Sequence, residues 1–508
     1  MSKQFYITTT LPYVNADPHI GFALEIIQAD AIARYKRLLG HEVVFNTGTD
    51  EHGLKIQRKA EDAGVDPKTY VDGYAEKFKN LKEKLNLSYS HFIRTTDEKH
   101  INAAQKFWRR CKDNGYIEKR EYKAKYCVGC EMEKTDSELV DGKCPLHTNY
   151  ELEYIEEENY FFLFSKLQDK LLDFYTANPD FVVPSYRFNE IKAFVERGLQ
   201  DFSISRLKTK MSWGIEVPDD TDHVMYVWFD ALTNYISTID WPEGDAFASI
   251  WGSKEERNAI QVAGKDNLRQ QSAMWQAMLL AADVPLTKQV FIHGFITSEG
   301  KKMSKSLGNV VNPYDVVDEY GIDATRYFLL GGLPAFDDGD FAQERFEEFY
   351  TAHLVNGIGN LTSRVLTMLE KYNEGKVPAT AEDCFAVPTF WQAYEKDFSS
   401  YAFDDLIKKI NGLVGQVDTK ISEEKPWEKE KQGEDISALL YQLAEGLRHI
   451  ALALLPIIPN TAHQILERLG YSKEQRDACV LSQQQVWGLL QENTTIHKGE
   501  ILFARLQK

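Results

Sequence analysis

Residues 4–21 read QFYITTTLPYVNADPHIG, continue as FALEIIQADAIARYKRLLG, and pass into HEVVFNTG. Phe5–Thr10 is a β-rich alternating run, and an Asn/Asp/Pro turn follows around Asn15–Pro18. Phe22, Ile26, Ile27, Ile32, Tyr35 and Leu39 then fall near helical spacing, with Gly40 placed to end the helix. HEVVFNTG resumes a strand. Strand, helix and strand joined by short links predict a βαβ unit and hence a parallel sheet. His19 and Gly21 stand where the first strand hands over to the helix, and amides at a helix start attract phosphate.

A second unit lies far downstream, where AIQVAG (259–264) is a buried-strand candidate, NLRQQSAMWQAMLLAADV (267–284) a helix and KQVFIHG (288–294) a strand. Two such halves separated by a long stretch predict a doubly wound sheet interrupted by an insertion, roughly Gly115–Val217. From about Ala342 the long segments have helical periodicity and few strand signals, which predicts an all-α C-terminal region.

At 508 residues the chain exceeds what one hydrophobic core supports, so several domains are expected. A formal net charge of −18 argues against nonspecific attraction to nucleic acid or anionic membrane. Met1–Asn15 has no secretory-signal pattern, and Ile450–Pro459, the longest apolar run, is too short and proline-broken to span a bilayer. A cytoplasmic protein is expected.

Of the six cysteines, Cys127 and Cys130 in CVGC and Cys144 in CPLH, with His147, form two close ligand pairs thirteen residues apart. Such a set suits one closed, structural tetrahedral zinc site per chain. Cys111, Cys384 and Cys479 are isolated, and buried packing is expected for each. HGFITSEGKKMSKSLGN (293–309) is a glycine-flanked loop carrying Lys302 and Lys305. Mobile ammonium groups suit a phosphate chain, although a solvated basic turn would read the same way in isolation.

PHIGF at 18–22 and KMSKS at 302–306 resemble the two signature motifs of class I aminoacyl-tRNA synthetases. LPYVNADPHIG, NTGTDEHG, CVGC with CPLH, EENYFF, ISR before WGIEVP, YVWFDALTNYIS, VFIHGF, NLTSR and KPW are similar to blocks of the methionyl-tRNA synthetase family. The likeness runs from about Tyr6 to at least Leu469.

That resemblance implies an α/β, Rossmann-type catalytic domain in two halves, 1–114 and 218–310. It also implies a connective insertion with a zinc knuckle (115–217), a connecting stem (311–341) and an α-helical anticodon-binding domain (342–508). The reaction implied is ATP-dependent activation of L-methionine to methionyl-adenylate and transfer to tRNA(Met), initiator tRNA included. Leu11, Tyr13, Trp228, Ala231, Tyr235 and His293 would form the methionine pocket, with Asp50 holding the ammonium and Arg206 pairing with Asp50. The spacing of Trp228, Ala231 and Tyr235 would let one helix face present all three. ATP with its Mg2+ would lie over His19 and Gly21, near Lys265 and Asp266. Lys302, Ser304 and Lys305 would close on the triphosphate, and His19, Gly21, Lys302 and Lys305 would carry catalysis. Asn360, Arg364 and Trp427 would read the anticodon.

Two positions depart from the family pattern: Phe22 and Gln271 stand where it usually has histidine, and both are expected near the nucleotide. A silent RNA-binding paralogue and a synthetase for another amino acid are the competing readings. The intact KMSKS opposes the first, and VWFDALTNY with the cysteine pairs opposes the second. Scattered lysines such as Lys408 and Lys409 are the candidate phosphate contacts. With no further C-terminal module after the helices, a monomer is expected.

Overall fold

The computed structural model describes residues 3–130, 132–134, 136–303 and 308–506. Six parallel strands form the central sheet in the order His91–Arg94, Glu42–Thr49, Gln4–Thr9, Ile260–Gly264, Gln289–His293, Val182–Val183. The chain order reverses between Gln4–Thr9 and Ile260–Gly264, where Ile7 registers with Ile260. Val182–Val183, inside the stretch read as an insertion, adds the edge strand beside Gln289–His293.

Every residue of Ile260–Gly264 is buried, because both faces of the sheet are covered. The pleat sends neighbours into different cores. Ile7 and Phe291 join one that runs on through Leu330, Leu366 and Ile450. Tyr6 and Ile292 join another with Trp108, Phe229 and Trp275. The first core is continuous from the sheet into the C-terminal helices.

The first helix, Ile20–Leu38, begins at His19 as expected. The segment 267–284 differs from a plain helix, with a π-type turn at Gln270–Met274 before the α-helix Trp275–Ala281. WFDALTNY also breaks, into Val227–Leu232 and Asn234–Ser237. There the Asn234 side chain donates to Ala231 O at 2.7 Å, competing with the backbone ladder. The helix is therefore interrupted at Thr233, between Trp228 and Ala231 on one side and Tyr235 on the other.

The C-terminal region is helical, with Asn360–Tyr372, Val387–Ser399, Phe403–Glu424, Ser437–Leu454 and Pro459–Arg468 its main elements. It docks through a buried charge cluster. Asp30 of the first helix pairs with Arg34 and with Arg326 of the helix Ile322–Gly331, each at 2.7 Å. Arg326 also donates to Ile457 O at 2.8 Å and Leu85 O at 3.1 Å. Burial alone would raise the Asp30 pKa, but Arg34, Arg326 and the Ser88 hydroxyl bring it down to about 2.

Of the isolated cysteines, Cys111 is buried, whereas Cys384 is exposed and Cys479 half-buried, contrary to expectation. Among the described residues no helix is long and apolar enough to cross a membrane.

Arg326→Ala removes one of the two guanidinium partners of fully buried Asp30 and leaves several carbonyls without their donor, so a loss of about 3 kcal/mol in stability is expected. Lys408→Ala removes only exposed pairs with Asp404 and Asp405 and should cost about 0.5 kcal/mol or less. Denaturant unfolding of both variants checks the contrast.

Candidate active site

The reversal of strand order leaves a crevice at the C-terminal ends of Gln4–Thr9 and Ile260–Gly264, where a doubly wound sheet binds its ligand. Glu25 closes the floor of that crevice. Its Oε1 accepts from Thr10 N at 2.7 Å and Thr10 Oγ1 at 2.6 Å, just past the first strand. Its Oε2 accepts from Gly264 N at 3.1 Å and lies 3.1 Å from His293 Nε2. One carboxylate thus ties the first helix to the ends of three strands. Both ring nitrogens of His293 face acceptors, since Nδ1 lies 2.7 Å from Gly294 O.

Above this floor lies a cavity of about 770 Å3, a size suited to a ligand with a nucleotide and a small side chain. Leu11, Tyr13, Asp50, Trp228, Ala231, Tyr235 and His293 line it together with His19, Gly21 and Asp266. Asp50 is gathered with Leu11 and Tyr13 by the backbone, as Asp50 N donates to Pro12 O at 3.0 Å and Val14 N to Asp50 O at 3.1 Å. Arg206 is buried, donates to Ser203 Oγ at 2.7 Å, and stacks on Tyr126 and Tyr226.

His19 caps the first helix. Its Nδ1 accepts from Gly21 N at 3.1 Å and Phe22 N at 3.3 Å, so the ring proton of the neutral form sits on Nε2. Desolvation inside the cavity lowers the His19 pKa, with Glu25 opposing, and the neutral donor form is favoured. A Cβ on Gly21 would stand 3.0 Å from the His19 ring, so glycine is what lets the ring lie against the helix start. Phe22 packs edge-on against Phe78 and adds an apolar wall.

Lys265 is not a wall residue, since Asp338 holds its ammonium at 2.7 Å beside the Phe295 ring. The lysine loop leaves from a hairpin in which Ile296–Ser298 pairs with Lys301–Lys302 across Glu299 and Gly300, both at positive φ. Met303 lines the cavity, while Ser304 and Lys305 lie outside the described residues.

The Gln271 Nε2 donates to the Tyr235 hydroxyl at 2.7 Å, and both residues belong to one wall of the cavity. Behind the same wall, Asp230 is fully buried between His52 Nδ1 and His100 Nε2, each at 2.7 Å. Burial would raise the Asp230 pKa, but the two histidines outweigh it and hold it low.

The ligand atoms of Cys127, Cys130, Cys144 and His147 all lie within 4.8 Å of one another. Cys130 Sγ stands 3.4 Å from Cys144 Sγ and 3.2 Å from His147 Nδ1. Three thiols and an imidazole converging so closely fit a single tetrahedral ion.

In the helical region Asn360 is exposed, Arg364 pairs with Asp418, and Trp427 is 37% exposed where a new helix starts after Lys425. Lys408 pairs with Asp404 and Asp405, and Lys409 with Asp397, so neither is an uncompensated phosphate contact.

The sequence profile of tRNA synthetases class I (M) matches residues 5–154 and 148–366. Methionine–tRNA ligase of Caldanaerobacter subterraneus subsp. tengcongensis is 42% identical, covering 100% of this chain and 79% of its own length. That of Thermosynechococcus vestitus is 40% identical over 100% of this chain and 98% of its own. The chain belongs to the class I methionine–tRNA ligase family. Among solved members of the family, Mycobacterium tuberculosis methionyl-tRNA synthetase in complex with methionyl-adenylate superposes with a TM-score of 0.91 at 37% identity, covering 99% of this chain and 100% of that one. The apo form of the same enzyme gives 0.85 at 33% identity, covering 100% and 99%.

Gly129 sits inside the CVGC turn, where a Cβ would come within 2.5 Å of the His147 ring. Gly129→Ala is therefore expected to displace the imidazole and weaken metal retention at least tenfold, measured as bound metal after titration with a chelator.

Proposed function

We propose that the protein activates L-methionine with ATP and transfers the methionyl group to tRNA(Met), initiator tRNA included, acting as a cytoplasmic monomer. The observation that carries this reading is the cavity at the strand-order reversal. It is lined both by a histidine-capped helix start and by Leu11, Tyr13, Trp228, Ala231 and Tyr235.

In the first step a carboxylate oxygen of methionine bonds to the α-phosphorus while the α–β phosphoanhydride bond breaks and pyrophosphate leaves. The carboxylate is already the nucleophile, so no side-chain base is needed. Catalysis is positioning and charge stabilisation. His19 Nε2–H donates to a phosphate oxygen, the helix-start amides hold the ring that does so, and Lys302 and Lys305 follow charge onto departing pyrophosphate. Asp50 holds the methionine ammonium, while Asp266 faces the ribose or the amino acid and Lys265 supports Asp338 at the rim. Mg2+ carried by the nucleotide would neutralise part of the phosphate charge. In the second step a terminal ribose hydroxyl of tRNA attacks the acyl carbon and AMP leaves.

Zinc is the ion the three thiols and His147 would hold, with a structural role because the protein supplies all four positions. Residues 342–508 would read the anticodon, with Asn360 and Arg364 reaching base edges and Trp427 stacking.

Exchange of labelled pyrophosphate into ATP is expected with methionine and not with leucine or isoleucine. Lys305→Ala should lower it by two orders of magnitude or more. Trp427→Ala should leave exchange intact and lower tRNA charging roughly tenfold or more. Exchange driven equally by several amino acids would refute the assignment.

A further inference from the structure

The segment that brings Trp228, Ala231 and Tyr235 to the cavity consists of two short helices, Val227–Leu232 and Asn234–Ser237. Neither is long enough to hold a direction by its own backbone ladder. What holds them lies on the side turned from the cavity. Asp230 and Ser237, one on each side of the break, are both 0% exposed, and a single ring bridges them. His100, also fully buried, places Nε2 2.7 Å from Asp230 Oδ1 and Nδ1 2.9 Å from Ser237 Oγ. It stands on the longer, regular helix Glu98–Asp113.

The second oxygen of Asp230 leads to the other side of the pocket. Oδ2 lies 2.7 Å from His52 Nδ1, and an ionised carboxylate can only accept, so His52 donates from Nδ1. His52 follows Asp50 by two residues, and Asp50 lines the cavity, tied by its backbone to Pro12 and Val14. The path from Asp50 to Trp228 is therefore one short turn of chain, one imidazole and one carboxylate. Hydrogen bonds to a charged acceptor in a dry interior are short and strong. Asn46, in the strand that ends just before Asp50, adds a further tie, since its Nδ2 donates to Asn234 Oδ1 at 3.2 Å while its Oδ1 accepts from Thr238 Oγ1 at 3.0 Å.

An apolar pocket gains from every methylene it buries, so it turns away a longer side chain only if its far wall cannot retreat. The wall here is a broken helix, and its stiffness has to come from the ties behind it. We propose that Asp230, clamped by His52 and His100, is a positioning residue that fixes the span between Asp50 and the Trp228–Ala231 wall, so that the pocket measures the length of an unbranched amino-acid side chain. This rests on the methionine reading above and adds how chain length is judged. His52, His100 and Ser237 act only through Asp230 and the two helices, and they are positioning residues as well.

The test compares methionine with ethionine, the thioether one methylene longer, in pyrophosphate exchange. His52→Ala is expected to lower the methionine-to-ethionine ratio of kcat/KM about three- to tenfold. The change should come through KM for the amino acids, with KM for ATP unchanged. His52→Asn, whose amide nitrogen takes the place of Nδ1 and still donates to Asp230, should keep the ratio. Ser237→Ala opens the bridge across the break by the loss of one hydroxyl, and it should move the ratio in the same direction if His52→Ala does not fold. An unchanged ratio in a folded variant that still exchanges with methionine overturns the latch. So does an equal loss for both amino acids, or a loss in His52→Asn as deep as in His52→Ala. Failure of the unmodified protein to exchange with methionine would instead overturn the activity, and the latch with it.

Discussion

The carboxylate of Glu25 is the constraint on which the site depends. It accepts from Thr10 N and Oγ1, accepts from Gly264 N, and meets His293 Nε2. Those partners lie at the C-terminal ends of three neighbouring strands, and Glu25 itself belongs to the helix that His19 caps. A parallel sheet with reversed strand order always opens a crevice at the reversal. What differs here is that one buried anion spans it. Hydrogen bonds to a charged acceptor are stronger than neutral ones, and a buried carboxylate must be satisfied on both oxygens. The spacing of the strand ends, the seat of the first helix and the orientation of His293 are therefore fixed together.

The same helix carries the constraint outward. One turn and a half beyond Glu25, Asp30 is held by Arg34 and Arg326, and Arg326 holds carbonyls from the loop before Pro459–Arg468. A rigid element thus runs from the cavity floor to the docking surface of the helical region, with one apolar core packed along it. Binding energy gained at the far end of a large polynucleotide can only serve chemistry at the cavity if the two ends keep a defined geometry. A buried ion cluster supplies this through specificity of seating, since its net contribution to stability is small compared with apolar packing.

Legibility followed the type of signal. The two βαβ units were readable because Phe5–Thr10 is β-rich, AIQVAG and KQVFIHG are largely apolar and the first helix is periodic, and His19, Gly21 and the cluster of three cysteines with His147 because short spacings carry their chemistry. Leu11, Tyr13, Asp50, Trp228 and Tyr235 were readable only through resemblance, since an aromatic at helical spacing is as good a core residue as a pocket wall. Glu25 was missed because a glutamate in an amphipathic helix ordinarily faces water, and nothing local says that three strand ends converge on it. The contact of Gln271 with Tyr235 was not legible, because a π-type turn, which periodicity cannot reveal, aims it there. Lys265, Lys408 and Lys409 were read as potential ligand contacts, but tertiary neighbours supply Lys265 and Lys409 with an aspartate, and Lys408 pairs with Asp404 and Asp405 one turn back in its own helix.

Glu25→Gln tests the central claim most directly, because it keeps the shape and removes the charge. An amide has one accepting oxygen, so its NH2 must face Thr10 or Gly264, both donors. Methionine-dependent pyrophosphate exchange by the variant, measured beside its thermal midpoint, should fall in kcat/KM by on the order of a hundredfold, with the chain still folded at the assay temperature. Exchange at the level of the unmodified protein would contradict the account, since the crevice would then be held open and in register without the anion.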